Sequence, residues 1–264
     1  MRVADRNVKM NREDWADYLG AGCVMYCPPA QYSPDIESQR VKYSYLASVS
    51  ARFLASPQYT LPTKKTIDAL NIRGYALDNG AYLCHTSGQD FDEDLFLNFC
   101  KRYGRCADWI VLPDVVCDAK TTIANIPKYT QKIRAILPTS RLLFVWQDGM
   151  SKDDITPFLK QGIGVFVGGS TEGKLSAMYW IAALCREYNV WCHIGRVNSV
   201  KRLKAVLSCG ANSFDGSGIV RYMPTLKRMT EYLIRNSGQL DLFNYNQMDM
   251  GLLDRWLSRQ RDLI

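Results

Sequence analysis

A single (β/α)8 TIM-type barrel is the fold class this sequence predicts, and three observations carry it. Short apolar runs recur along the chain, and each breaks at its far end into a polar or glycine signature: GYALDNGAY (74–82), DWIVLPDVV (108–116), RLLFVWQDG (141–149), GVFVGGSTEGK (164–174) and NSFDGSGIVR (212–221). Segments long enough for a helix separate these runs, which is the rhythm of βα units. The length, 264 residues with 47% hydrophobic content, suits one large core, and barrels often reach this size undivided.

Taken in order, residues 1–20 read as an N-terminal cap, 21–221 as the barrel core and 222–264 as C-terminal helices. AGCVMYC (21–27) is the first strand, closed by Pro28 and Pro29. Residues 30–70 contain turn signals at Pro34, Pro57 and Pro62 and a helix-like run over 41–54; the remaining strand is assigned there by elimination, without a position. DEDLFLNFCKRYG (92–104) has apolar residues at helical spacing and stops at Gly104. AKTTIANIPKYTQKIRAIL (119–137) is the next helix. SKDDITPFLKQG (151–162) opens on a capping serine followed by acids in the first turn. KLSAMYWIAALCREY (174–188) is a strongly apolar helix. NVWCHIG (189–195) is a strand, and VNSVKRLKAVLSCG (197–210) its helix, with Gly210 as C-cap. The tail reads as two helices, MPTLKRMTEYLIRN and MDMGLLDRWLSRQRDLI, with a basic tint that suits either a solvated face or a surface tracking a nucleic-acid backbone.

Composition bounds the function. The net charge of +7 is mildly basic, compatible with an anionic partner but equally with an ordinary cytosolic enzyme. The nine cysteines are odd in number, and no two are spaced as a zinc knuckle or disulfide framework would need, so no metal is expected and a reducing cytoplasm is the simplest location. The polar N-terminus lacks a secretory apolar region, and no run approaches the roughly 18 apolar residues of a membrane span. No membrane partner is expected.

In a closed parallel barrel the carboxyl ends of all strands gather around one mouth. Asp78, Asp114, Gln147, Gly168, Gly169 and Asp215 would then meet. Isolated strand-end aspartates are usually caps, and Asp118, Asp148 and Asp153 are read that way. Asp78, Asp114 and Asp215 each end an apolar strand next to glycine or proline, and three carboxylates at one mouth need a use: attack on an electrophilic carbon, proton transfer or binding of an amine. Gln147 offers both a donor and an acceptor to an amide-like edge. Gly168 and Gly169 allow close backbone approach. Tyr82 either stacks on a ring or only packs. His85 and His193 are the two histidines, and His193 reads as structural rather than catalytic.

These motifs resemble those of the tRNA-guanine transglycosylases. LDNGAY is similar to that family's aspartate–glycine–aromatic motif, VFVGGSTEGK to its Gly-Gly motif and NSFDGSG to its nucleophile motif. LPDVV, VWQDGM and GRVNSVKRL bring the wording nearer to the DNA-acting branch, the 7-deazaguanine DNA transglycosylases of bacteria and phages. The resemblance implies an enzyme that replaces guanine in DNA with a 7-deazaguanine bearing a cyano or aminomethyl group (a preQ0-like base). Asp215 would be the nucleophile forming a covalent deoxyribose intermediate, and Asp78 the general acid/base. It further implies base binding by Asp114, Gln147, Gly168, Gly169 and Tyr82, and no cofactor. DNA and a free 7-deazaguanine base would be the partners, with a helper protein or homodimer to open the duplex. Arg196 and Arg221 would contact phosphates or serve as plain surface. Residues 216–264 contain no cysteine, so the zinc subdomain of the tRNA enzymes is missing, and Asn79 and Ala81 stand where small residues are usual. The alternatives are exchange in tRNA or another RNA, a nucleoside or glycoside hydrolase, and a non-catalytic nucleic-acid-binding barrel.

Overall fold

The computed structural model describes residues 23–28, 36–58 and 74–236. Eight parallel strands close on themselves in chain order. They are β1 (Val24–Cys27), β2 (Arg52–Ala55), β3 (Tyr75–Leu77), β4 (Ile110–Val111), β5 (Leu142–Trp146), β6 (Gly164–Val167), β7 (Cys192–Ile194) and β8 (Ser213–Asp215). Closure is made by β1 against β8, with Tyr26 in register with Asp215. The expected (β/α)8 barrel is therefore the observed fold.

The helices are α1 (Ile36–Ser48), α2 (Ala81–Ser87), α3 (Glu93–Tyr103), α4 (Ala119–Ile136), α5 (Lys152–Leu159), α6 (Thr171–Glu187), α7 (Val200–Cys209), α8 (Ser217–Arg221) and α9 (Met223–Asn236). Their starts follow from local chemistry. Asp92, Asp118, Ser151, Ser170 and Ser199 each accept a backbone N–H from the first turn that follows, which satisfies one of the donors a helix leaves unpaired. Ser151 and Asp154 form a reciprocal capping box. Gly210 closes α7 at φ 73°, a left-handed conformation that favours glycine.

Two expectations in the least regular stretch are sharpened or corrected. The strand assigned by elimination is β2, and the helix-like run over 41–54 is divided: Ala51, Phe53 and Leu54 leave the helix, and Arg52–Ala55 pairs with β1 and β3. A turn at Ser48–Ser50, with Ser50 at φ 50°, breaks the apparent period. The short helices α2 and α8 have no counterpart in the sequence reading. The N-terminal cap and the second tail helix lie outside the described residues.

The core has two compartments. Between sheet and helices packs a large apolar layer that includes Met25, Phe53, Leu77, Phe96, Phe144, Ile181 and Phe214. Inside the barrel sit Tyr26, Leu54, Ala76, Trp109, Val111, Leu143, Val145 and Trp191. The amino-terminal end of the barrel holds a buried ion pair, Arg52 to Asp108 at 2.6 Å, and Asp108 also accepts the Tyr26 hydroxyl at 2.9 Å. This end of the barrel supports stability, whereas the opposite end carries the candidate site.

Among the described residues no helix is long and apolar enough to cross a membrane. Among the same residues no cluster of three metal-ligating side chains occurs.

Candidate active site at the carboxyl end of the barrel

Asp78 follows β3, Asp114 follows β4, Gln147 follows β5, Gly168 and Gly169 follow β6, and Asp215 closes β8. Parallel closure brings them to the same end of the barrel. Asp215 is 8% exposed and Gln147 4%, while Asp78 and Asp114 are partly buried.

Asp78 is the group most altered by its surroundings. Burial first, then the Asp215 and Asp114 carboxylates, push its carboxyl from 3.8 up to about 7, against hydrogen bonds from the backbone of Asn79 and Gly80 that favour the ionised form. A carboxyl with that value exists in both forms at neutral pH, which is what a group that gives and takes a proton requires.

Asp114 is held between two amides. Asn79 Nδ2 donates to one oxygen at 2.8 Å and Gln147 Nε2 to the other at 2.5 Å. Burial raises the Asp114 carboxyl even so. Gln147 therefore uses one N–H of its amide within the protein and keeps the other N–H and its carbonyl oxygen as groups it can present. Asn79, read from sequence only as an unusual neighbour, is fixed on three sides: it also donates to the Leu112 carbonyl and accepts the N–H of Ala81 at the start of α2.

Asp215 terminates a one-way chain of hydrogen bonds. Trp191 Nε1, which can only donate, bonds Ser213 Oγ at 2.8 Å. Ser213 Oγ meets His193 Nδ1 at 2.8 Å, and His193 Nε2 meets Asp215 Oδ1 at 3.1 Å. Burial pushes the imidazolium of His193 down, so the ring is neutral. A neutral ring facing a carboxylate must carry its hydrogen on Nε2; Ser213 then donates to Nδ1 and accepts from Trp191. The ring is clamped by Phe166 and Trp109, centroids 4.6 and 4.8 Å away. His193 is thus more than a structural strand-end residue: it orients the Asp215 carboxylate. The alternation of β7 placed it inside the barrel, but nothing in the sequence pointed to Ser213 or Trp191.

Arg196 donates its backbone N–H to Asp215 Oδ1 at 3.1 Å while at φ 58°, a left-handed conformation uncommon for a side chain of this size. Its guanidinium bonds the Gly169 carbonyl and lies 5.0 Å from the ring centroid of Tyr82. Tyr82 itself is 52% exposed on the first turn of α2. Arg221, on α8, is exposed. Arg196 therefore belongs to the mouth, whereas no described contact of Arg221 ties it there.

The glycine pair has local structural reasons of its own. Gly168 donates its N–H to the Trp146 carbonyl at 3.0 Å, so this donor is spent in the β5–β6 ladder. A Cβ on Gly168 would meet Val145 Cγ1 at 2.7 Å, and Gly169 stands at φ 70° beside the Asp148 carboxylate. Asp148 in turn accepts the Ser170 N–H at 2.6 Å, as a cap. In the nucleophile-like motif, a Cβ on Gly216 would come within 2.6 Å of Asn198 Oδ1 and the Val197 carbonyl. In the first motif, Gly80 at φ 78° is pressed against Gln58. Packing and backbone conformation thus account for these glycines. Replacing Gly169 with alanine is expected to cost on the order of 1–2 kcal/mol, read as a lower denaturant midpoint with the far-UV spectrum unchanged.

No protein-family model matches the chain, and no curated protein matches it. Among solved structures the chain is similar to QR15, an aldolase, at 11% identity and a TM-score of 0.51, covering 83% of this chain and 98% of that one. It is similar to an HpcH/HpaI aldolase from Desulfitobacterium hafniense at 12% identity and a TM-score of 0.47, over 84% and 96% of the two chains. Tryptophan synthase from M. tuberculosis aligns at 14% identity and a TM-score of 0.48, over 83% and 94%. At 11% identity the likeness to QR15 shows the barrel fold alone. The expectation of a DNA base-exchange enzyme is corrected with it: the barrel likeness is to an aldolase, and none of the three structures named is a transglycosylase. The physical reason the motifs misled is that their glycines are those this barrel needs at its own strand ends. Replacement of guanine by a 7-deazaguanine is not carried forward.

Proposed function

We propose that the chain is an enzyme of general acid–base type acting on a small polar substrate at the carboxyl end of the barrel. The single observation that carries this reading is Asp78, raised to about 7 beside two further carboxylates at one mouth. In this reading Asp78 moves the proton. Asp215, held from one side by His193 and from the other by the Arg196 N–H, stabilises positive charge developing on the substrate or accepts a second proton. Gln147 and Asp114 orient the substrate by a hydrogen-bonding edge, and Tyr82 borders the entrance. Perturbed carboxyls gathered in this way mark functional sites more often than structural ones.

The test is a small-metabolite pool incubated in deuterated water with wild type, Asp78→Asn and Asp215→Asn, followed by mass spectrometry. Wild type is expected to consume a metabolite or exchange one of its carbon-bound hydrogens for deuterium, with the rate lowered about 10²–10⁴-fold in Asp78→Asn. A change that persists in both variants, or a pool left untouched by wild type, would refute the reading.

A further inference from the structure

Beside the mouth, a cleft lies between β7, α6 and α7. Met178 and Val206 form its apolar floor, the exposed Leu175 borders it, and Lys174, Arg196 and Arg202 line it as cations. The hydrogen bonds their charged side chains make are to main-chain oxygens. Lys174, 6% exposed, donates to the Gly195 carbonyl; the Arg196 guanidinium donates to Gly169; Arg202 Nη1 reaches the Arg196 carbonyl at 3.3 Å. The ion pairs found among the described residues involve none of the three.

Such a cluster is costly without an anion. Burial, followed by the charges of Arg196 and Arg202, pulls the Lys174 ammonium down to about 8, and the carboxylates of Asp215 and Asp148 only partly oppose them. Asp148 is already engaged at the start of α6, where it accepts from the Ser170 N–H and hydroxyl. Guanidinium groups match the oxygens of a phosphate in pairs, and an ammonium adds a point charge with donors to spare.

We propose that this cleft is a binding subsite for a phosphate monoester, the group by which the enzyme holds its substrate. Lys174, Arg196 and Arg202 bind the phosphate. Because Arg196 also donates to Asp215, a substrate anchored here extends toward the acid–base groups. That last step rests on the reading given above; the binding of phosphate does not.

Isothermal titration calorimetry with inorganic phosphate tests it, using the full chain, Lys174→Met and Arg202→Met. Saturable binding is expected in wild type, weakened about tenfold or more in each variant, with glycerol 3-phosphate competing and a single-stranded oligonucleotide lacking terminal phosphates not competing. Asp78→Asn should retain phosphate binding, so failure of this subsite is separable from failure of the acid–base reading. Absence of saturable phosphate binding, equal binding in variants whose near-UV spectra are native, or displacement by the oligonucleotide alone would overturn the proposal. Arg202, only partly buried on the face of α7, keeps the test decisive if Lys174→Met does not fold.

Discussion

Replacing Asp78 with asparagine is expected to make the protein more stable at pH 8 while slowing its reaction. In the folded protein the carboxyl titrates at about 7, against 3.8 for the free side chain. Between those values the unfolded chain releases this proton and the folded one keeps it, so stability falls as pH rises through that window. Above about 7 both states are ionised and the whole cost is borne by the folded protein. Asparagine carries no such charge and can still accept the Asn79 N–H that Asp78 accepts at 2.8 Å. Three pH units correspond to about 4 kcal/mol as an upper bound, reduced because Asp78 is partly open to solvent. Urea midpoints at pH 4 and pH 8 measure the effect. The variant should gain on wild type at pH 8 and show little difference at pH 4. Equal midpoints of the two proteins at both values would mean that Asp78 is an ordinary carboxylate.

At the opposite end of the barrel, Asp108→Ala is expected to be among the most damaging single substitutions, at about 3–5 kcal/mol, because it leaves a buried guanidinium without its carboxylate. Arg52 is 6% exposed, and the same substitution removes the acceptor of the Tyr26 hydroxyl. The penalty comes from a buried charge losing this carboxylate rather than from the worth of the pair. The double substitution Arg52→Met with Asp108→Leu should therefore recover most of the loss. Thermal unfolding of the three proteins checks this. A double variant no more stable than Asp108→Ala would show that the pair contributes something that apolar packing cannot replace.

The barrel was legible because its strands are buried on both faces and read as uninterrupted apolar runs, as LLFVW of β5 does. β2 was hidden because Arg52 begins it and the preceding helix runs almost into it, so only the short turn at Val49 and Ser50 separates the two periods. The carboxylates were legible for a related reason, since an aspartate directly after an apolar strand stands out. Their supports were not. Ser213 and His193 lie on neighbouring strands 20 positions apart and meet only through register. Lys174 reads from sequence only as the first residue of a strongly apolar helix, yet the turn of α6 it occupies buries it against Gly195. The Gly-Gly pair is legible as a signature, but its packing against Val145 and Trp146 and its left-handed backbone are visible only in the structure.

The central claim is that Asp78 exchanges protons near neutral pH, and the most direct measurement is a carbon-13 NMR titration of the aspartate carboxyls, with Asp78→Asn used for assignment. One carboxyl titrating near pH 7 in wild type, and missing from the variant, is the result predicted here. If every carboxyl that responds in wild type titrates below about pH 5, Asp78 is ionised throughout the working range, and the acid–base account is contradicted.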